Sequence, residues 1–168
     1  MDVASLLLEL YGRIPRLARG AVEGVDPDRL TEQPSAGANT IAWLVWHLTR
    51  VQDHHIAEIL DADQVWVGGD WARRFGLEAD PSNTGYGHSA AEMAAVRPEQ
   101  PEVLLDYLDV VDARTRAMLA ELAPEDLDRV VDRRWDPPVT MGVRLISVAD
   151  DCLQHAGQAA YVRGLIGA

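Results

Sequence analysis

Apolar residues recur at three- and four-residue spacing along four stretches of the chain, and no stretch shows the period-two alternation of a half-buried strand. Over residues 3–22 the stripe is Val3, Leu6, Leu7, Leu10, Ile14, Leu17 and Ala21. It predicts an amphipathic helix kinked at Pro15, whose ring clashes with the Tyr11 carbonyl and whose missing N–H drops one bond. Asp26-Pro27 reads as a cap followed by proline in the first helical position, giving a short turn before the loop Gln33 to Gly37. A second helix starts from a cap at Asn39 or Thr40 and ends near Asp61, with Ile41, Leu44, Val45, Leu48, Val51, His55 and Ile59 on its stripe. A third runs from Pro101 toward Pro124 through Leu104, Tyr107, Leu108, Val111, Thr115, Met118, Leu119 and Leu122. Thr140 opens the fourth, whose stripe is Leu145, Val148, Cys152, His155, Ala159, Val162 and Ile166, with Gly164 and Gly167 fraying or capping its end. Four helices of about 20 residues with long connections predict an all-α, antiparallel four-helix bundle, a fold that builds its sites from side chains on facing helices.

The connections carry signals of their own. Residues 62–88 hold Gly68-Gly69, Pro81, Asn83, Gly85 and Gly87, too broken for a long element. Trp66, Trp71, Phe75 and Tyr86 in the same segment need a surface to pack on, so the expectation is an ordered flap over one end of the bundle. Ser89 followed by Glu92 is a capping-box match that starts a short helix stopped by Pro98. Trp135-Asp136-Pro137-Pro138 predicts a rigid extended approach to the last helix.

Composition narrows the function classes. At 168 residues the chain is read as one domain spanning 1–168, and its 48% hydrophobic content suffices for a core. Fifteen basic residues, all arginine and scattered, stand against 27 acidic ones. The resulting charge of −12 argues against nucleic-acid and anionic-membrane partners. The all-arginine usage suggests a high-GC bacterial source. The single Cys152 rules out an internal disulfide and a cysteine-rich zinc knuckle, as a reducing compartment permits. No basic n-region precedes the first apolar run, and the uncharged segment Ser35 to Thr49, even with the uncharged Gln33 and Pro34 before it, is shorter than the roughly 20 residues a membrane helix needs. A cytoplasmic location is expected. The absence of Gly-x-Ser-x-Gly, Walker and Gly-x-Gly-x-x-Gly patterns removes motif-based readings as a serine hydrolase, P-loop enzyme or dinucleotide binder.

The residues that stand out are polar ones near apolar stripes. His47 flanks the stripe of the second helix, His155 lies on that of the fourth, and Asp151 sits one turn before His155 on the same face. A carboxylate there must be paired, hydrated or bound to a cation. Two readings stand open at this level. Asp151 can pair with Arg50 or Arg144 while each histidine is a hydrogen-bonded core residue, or His47, Asp151 and His155 can form the donor set of a divalent metal with open positions. His54 can reach the edge of such a site, His55 follows the stripe, and His88 in its polar loop is expected to be solvated. Cys152, among apolar neighbours, reads as an inert thiol. The acidic stretch Glu121 to Asp132 reads as solvated surface.

Gly37-Ala38-Asn39-Thr40-Ile41-Ala42-Trp43-Leu44-Val45-Trp46-His47-Leu48, together with Asp151-Cys152-Leu153-Gln154-His155-Ala156-Gly157-Gln158 and the closing Arg163-Gly164, resembles the DinB-like superfamily. The resemblance is specific over about a quarter of the chain. It implies a four-helix bundle with a three-ligand metal site, falling here on His47, Asp151 and His155. Aspartate at 151 replaces the histidine of most members and is similar to the branch typified by the metal-binding domain of mycothiol-dependent maleylpyruvate isomerase, which has Glu-x-x-x-His. What this implies is thiol-dependent transfer to, or isomerisation of, a small electrophile. The metal would be Zn²⁺, or Ni²⁺ or Fe²⁺, and the co-substrate a low-molecular-weight thiol such as mycothiol, with Trp66, Trp71 and Phe75 of the flap shielding the reacting pair. The alternatives are a non-catalytic, homodimeric stress or interaction protein and a metal-dependent hydrolase.

Overall fold

The computed structural model describes residues 1–168 and divides the first apolar stripe in two: α1 (Val3–Tyr11) and α2 (Arg13–Val22). The break falls at Gly12, not at Pro15. Pro15 is the third residue of α2, where its missing N–H has no intrahelical carbonyl to serve, so the helix restarts to accommodate it. A single turn, α3 (Pro27–Leu30), follows, with the Asp26 side chain accepting from the Asp28 N–H. Of the two candidate caps for the second long helix, α4 (Ile41–Leu60), the structure uses Thr40, whose side chain accepts from the Trp43 N–H. The chain leaves α4 through Asp61 in the left-handed conformation. α5 (Trp71–Arg74) and α6 (Ala90–Ala95) are short, and the capping box of Ser89 with Glu92 is formed. α7 (Pro101–Ala120) and α8 (Met141–Ile166) complete the bundle, α8 capped by Thr140 and closed by Gly167 with a positive φ.

Side-chain pairings set the helix directions. Tyr11 reaches the Leu145 carbonyl and Arg163 the Gly20 carbonyl, so α1–α2 and α8 run the same way. Arg19 pairs with Asp109, and Gly12 lies against Arg116, so α7 runs opposite to α2. α4 is antiparallel to α8, since His55 approaches Arg144 while Cys152 donates to the Leu48 carbonyl. The order is therefore up, down, down, up. Two successive helices in the same direction require a crossover, and the long segment between α4 and α7 supplies it.

One contiguous core of 38 residues draws on every long helix. Within it, Trp66 and Phe75 of the crossover are fully buried and Trp71 is partly so, all packing on Tyr107 with ring centroids 5.2–6.0 Å away. The expected flap is thus ordered, although Tyr86 projects into solvent. Cys152 is buried, and desolvation pushes its thiol well above the ordinary range.

One element departs from the helical expectation. After a 3₁₀ turn at Pro124–Asp128, β1 (Val130–Asp132) pairs antiparallel with β2 (Val139–Thr140), so the approach to α8 is a small hairpin. Two- and three-residue strands are too short to show a period in sequence. Asp132, expected on a solvated acidic surface, is buried instead and ties the hairpin to α8: it accepts from the backbone N–H and guanidinium of Arg134 and from Arg144 at 2.7 Å. The Arg134 guanidinium, followed by the Arg134 N–H, holds its carboxyl well below the usual carboxylate range. A depressed folded pKa means that this stabilisation is fully present above the unfolded value near pH 4 and is lost as pH falls through the folded one. Asp132→Asn is expected to lower the unfolding midpoint at pH 7, with the gap to wild type narrowing steadily below pH 4. Urea melts across pH 2.5–7 check this, and a gap independent of pH would contradict it.

Candidate metal centre

α4 and α8 pack against each other more extensively than any other pair, and their contact brings together the two segments with polar anomalies. Nitrogen and oxygen atoms of His47, Asp151 and His155 lie within 4.8 Å of one another. Donors around a tetrahedral ion with bonds of about 2.0–2.2 Å stand roughly 3.3–3.6 Å apart, so small side-chain rotations close the set. The two imidazole rings meet edge to face at 4.7 Å, and Trp43 stacks on His47 at 4.6 Å and 11°.

The hydrogen bonds select the ring nitrogens. His47 Nδ1 lies 2.5 Å from the Thr84 carbonyl oxygen, which can only accept, so Nδ1 carries the proton and Nε2 keeps its lone pair. His155 Nδ1 is bound in the same way to Gln158 Oε1 at 2.9 Å, which turns Nε2 toward Asp151 Oδ1 at 3.6 Å. Asp151 Oδ2 is buried with no hydrogen-bond partner. Burial pushes His47 below the ordinary imidazole value, against the opposing Thr84 carbonyl, whereas the Asp151 carboxylate raises His155. Two Nε2 lone pairs and a carboxylate with one orphaned oxygen, on residues whose candidate ligand atoms lie within 4.8 Å of one another and with each imidazole oriented by a carbonyl acceptor, form a donor set that fits a divalent cation.

The competing pairings for Asp151 do not form. Arg50 is taken by Asp53 at 3.3 Å inside the core, and Arg144 by Asp132. A second cluster, His54, His55 and Glu58, fits a cation less well. His54 Nδ1 accepts from Gln64 Nε2, His55 Nδ1 donates to Glu58 at 2.9 Å, and His55 Nε2 faces the Arg144 guanidinium at 3.4 Å, a positive charge that opposes a metal.

Both clusters open onto one cleft of about 570 Å³. His47 and Asp151 line one part of it, while His54, His55, Arg134, Trp135, Arg144 and the loop at Ser82, Thr84 and Tyr86 supply the rest. His54 lines the cleft from α4, and Asp151 lines it from α8. Trp66, Trp71 and Phe75 do not line the cleft: their apolar area is spent in the core against Tyr107. The more polar loop after them covers His47 instead. Gly85 makes that cover close, because its φ is +93° and a Cβ there would stand 2.8 Å from His47 Nδ1 and 2.9 Å from the Trp46 ring. His88 is not solvated but half-buried, accepting from Trp43 Nε1 at 3.2 Å and stacking on Trp46. Sequence reasoning missed Thr84, Gly85 and Arg134. Trp135, two residues before its proline pair, had a signal only as part of a rigid approach, and Gly85 only as a breaker in the loop.

The fold and the convergent His–Asp–His set define a DinB-like four-helix bundle. Within that class the chain belongs to the mycothiol-S-transferase family, whose model matches residues 15–168, and this places it among mycothiol-related transferases. A crystal structure of a conserved protein from Enterococcus faecalis is similar over 100% of this chain and 99% of its own, with 31% identity and a TM-score of 0.91. No curated protein matches the chain. No helix is long and apolar enough to cross a membrane.

Proposed function

We propose that the protein is a metal-dependent thiol S-transferase that joins the sulfur of mycothiol to a small electrophile, with His47, Asp151 and His155 holding the cation. The observation that carries this reading is the orphaned, buried Oδ2 of Asp151 beside two imidazoles whose Nδ1 atoms are already tied to carbonyl oxygens. The N₂O donor set with open positions suits Zn²⁺ first, and Ni²⁺ or Fe²⁺ as well. A cation held there supplies the Lewis acidity that lets a thiol lose its proton near neutral pH. Cys152 cannot serve as the nucleophile, since it is fully buried and its thiol is held protonated by desolvation. The thiol therefore enters from solution through the cleft of about 570 Å³. The exposed rings of Tyr86 and Trp135 offer it flat apolar surfaces at the cleft.

A fluorogenic chlorobimane tests the reaction. The thiol sulfur forms a bond to the electrophilic carbon, chloride leaves, and the thiol proton passes to solvent. Turnover is expected with mycothiol present, no turnover without it, and loss of turnover after chelation with recovery on adding back Zn²⁺. Thiol-independent hydrolysis of ester probes would favour the hydrolase reading, and inactivity with every thiol and metal combination would overturn the transferase.

A further inference from the structure

The proposed chemistry gives no role to Arg50, which is completely buried one turn after His47 on α4. We infer that Arg50 is a positioning residue for the metal centre, acting on His47 through the backbone of the 81–84 loop. Its Nε donates to the Asn83 carbonyl at 3.0 Å, and its Nη2 donates to the Pro81 carbonyl at 3.2 Å and to Gln64 Oε1 at 2.8 Å. The next carbonyl along, that of Thr84, is the acceptor that fixes the His47 tautomer. One planar guanidinium thus holds two carbonyls of the loop that presents the third to the imidazole.

The guanidinium is itself held on its other side. Nη1 donates to Asp53 Oδ2 and to the Tyr107 hydroxyl, and the carbon at its centre lies 4.8 Å from the Trp66 ring centroid. A flexible loop with no such anchor would cost conformational entropy each time it set His47 for a ligand. A lysine has the charge but not the fork, so it cannot reach both carbonyls and Gln64 together. Gln64 gives a second, milder handle, because its Nε2 also donates to the Pro81 carbonyl at 3.1 Å.

This inference rests on the metal-centre reading, and its test separates the two. In Arg50→Lys, Zn²⁺ affinity measured against a chromophoric chelator is expected to weaken about 10- to 100-fold, the range for loss of an outer-shell partner. In the metal-free variant, ¹⁵N spectra of the His47 ring are expected to change from a single Nδ1–H tautomer to a mixture, with helical circular dichroism retained. If the lysine variant does not fold, the same two readouts on Gln64→Ala carry the test, with a smaller weakening in the same direction. An intact Nδ1–H tautomer in the folded variant, whether or not affinity falls, would overturn the positioning role. Wild-type protein that binds no Zn²⁺ but shows the tautomer shift in the variant would leave the loop clamp standing and refute the metal centre.

Discussion

Asp53→Ala is expected to destabilise the protein by about 3–5 kcal/mol, the cost of leaving a buried charge without its partner. The side chains of Arg50 and Asp53 are 0% and 1% exposed, so no solvent replaces the carboxylate once it is gone. Asp53 also accepts from the backbone N–H groups of Val65 and Trp66 at 2.9 and 2.8 Å and from the Tyr107 hydroxyl at 2.7 Å. The substitution strips the acceptor from four donors at once and frees the start of the crossover from α4. At roughly 2–4 °C per kcal/mol for a chain of this size, the melting temperature is expected to fall by about 6–20 °C. Urea unfolding followed by circular dichroism gives the free energy. A loss below about 1 kcal/mol would mean that the pair is not the sealed interaction described above.

His155→Ala is expected to abolish stoichiometric metal while leaving the bundle folded. The three donors come from two helices, and removal of one leaves His47 and Asp151 alone on opposite sides of the α4–α8 contact. Loss of an outer-shell partner alone costs 10- to 100-fold in affinity, so loss of a donor is expected to exceed about 100-fold. Folding survives because the side chain is only partly buried and alanine is a strong helix former. Elemental analysis of protein purified without chelators or affinity metals is the measurement, alongside far-ultraviolet circular dichroism. Close to one metal per chain in the wild type and near zero in the variant is the expected pair of values. Metal retained in a folded variant would remove His155 from the site.

The helices and their ends were legible because they depend on neighbours in sequence. Apolar spacing marks the buried stripe, Thr40, Thr140 and Ser89 each meet the N–H group three residues on, and Asp151 and His155 share a face by virtue of the helical turn. What lay beyond that range was decided by packing. A kink from Pro15 was legible, yet its relief at Gly12 depended on how the chain restarted the helix. Fifteen arginines and 27 acidic residues offer many pairings, and only tertiary contact assigns Arg50 to Asp53 and Arg144 to Asp132, which leaves Asp151 beside His155 with no arginine partner. The aromatic crossover was visible as needing a surface, but the surface proved to be Tyr107 in the core, and a backbone carbonyl took the place beside His47. A carbonyl is the same in every residue and leaves no mark in a pattern of side chains, so the Thr84 acceptor and the Arg50 clamp behind it could be found only once the chain had folded.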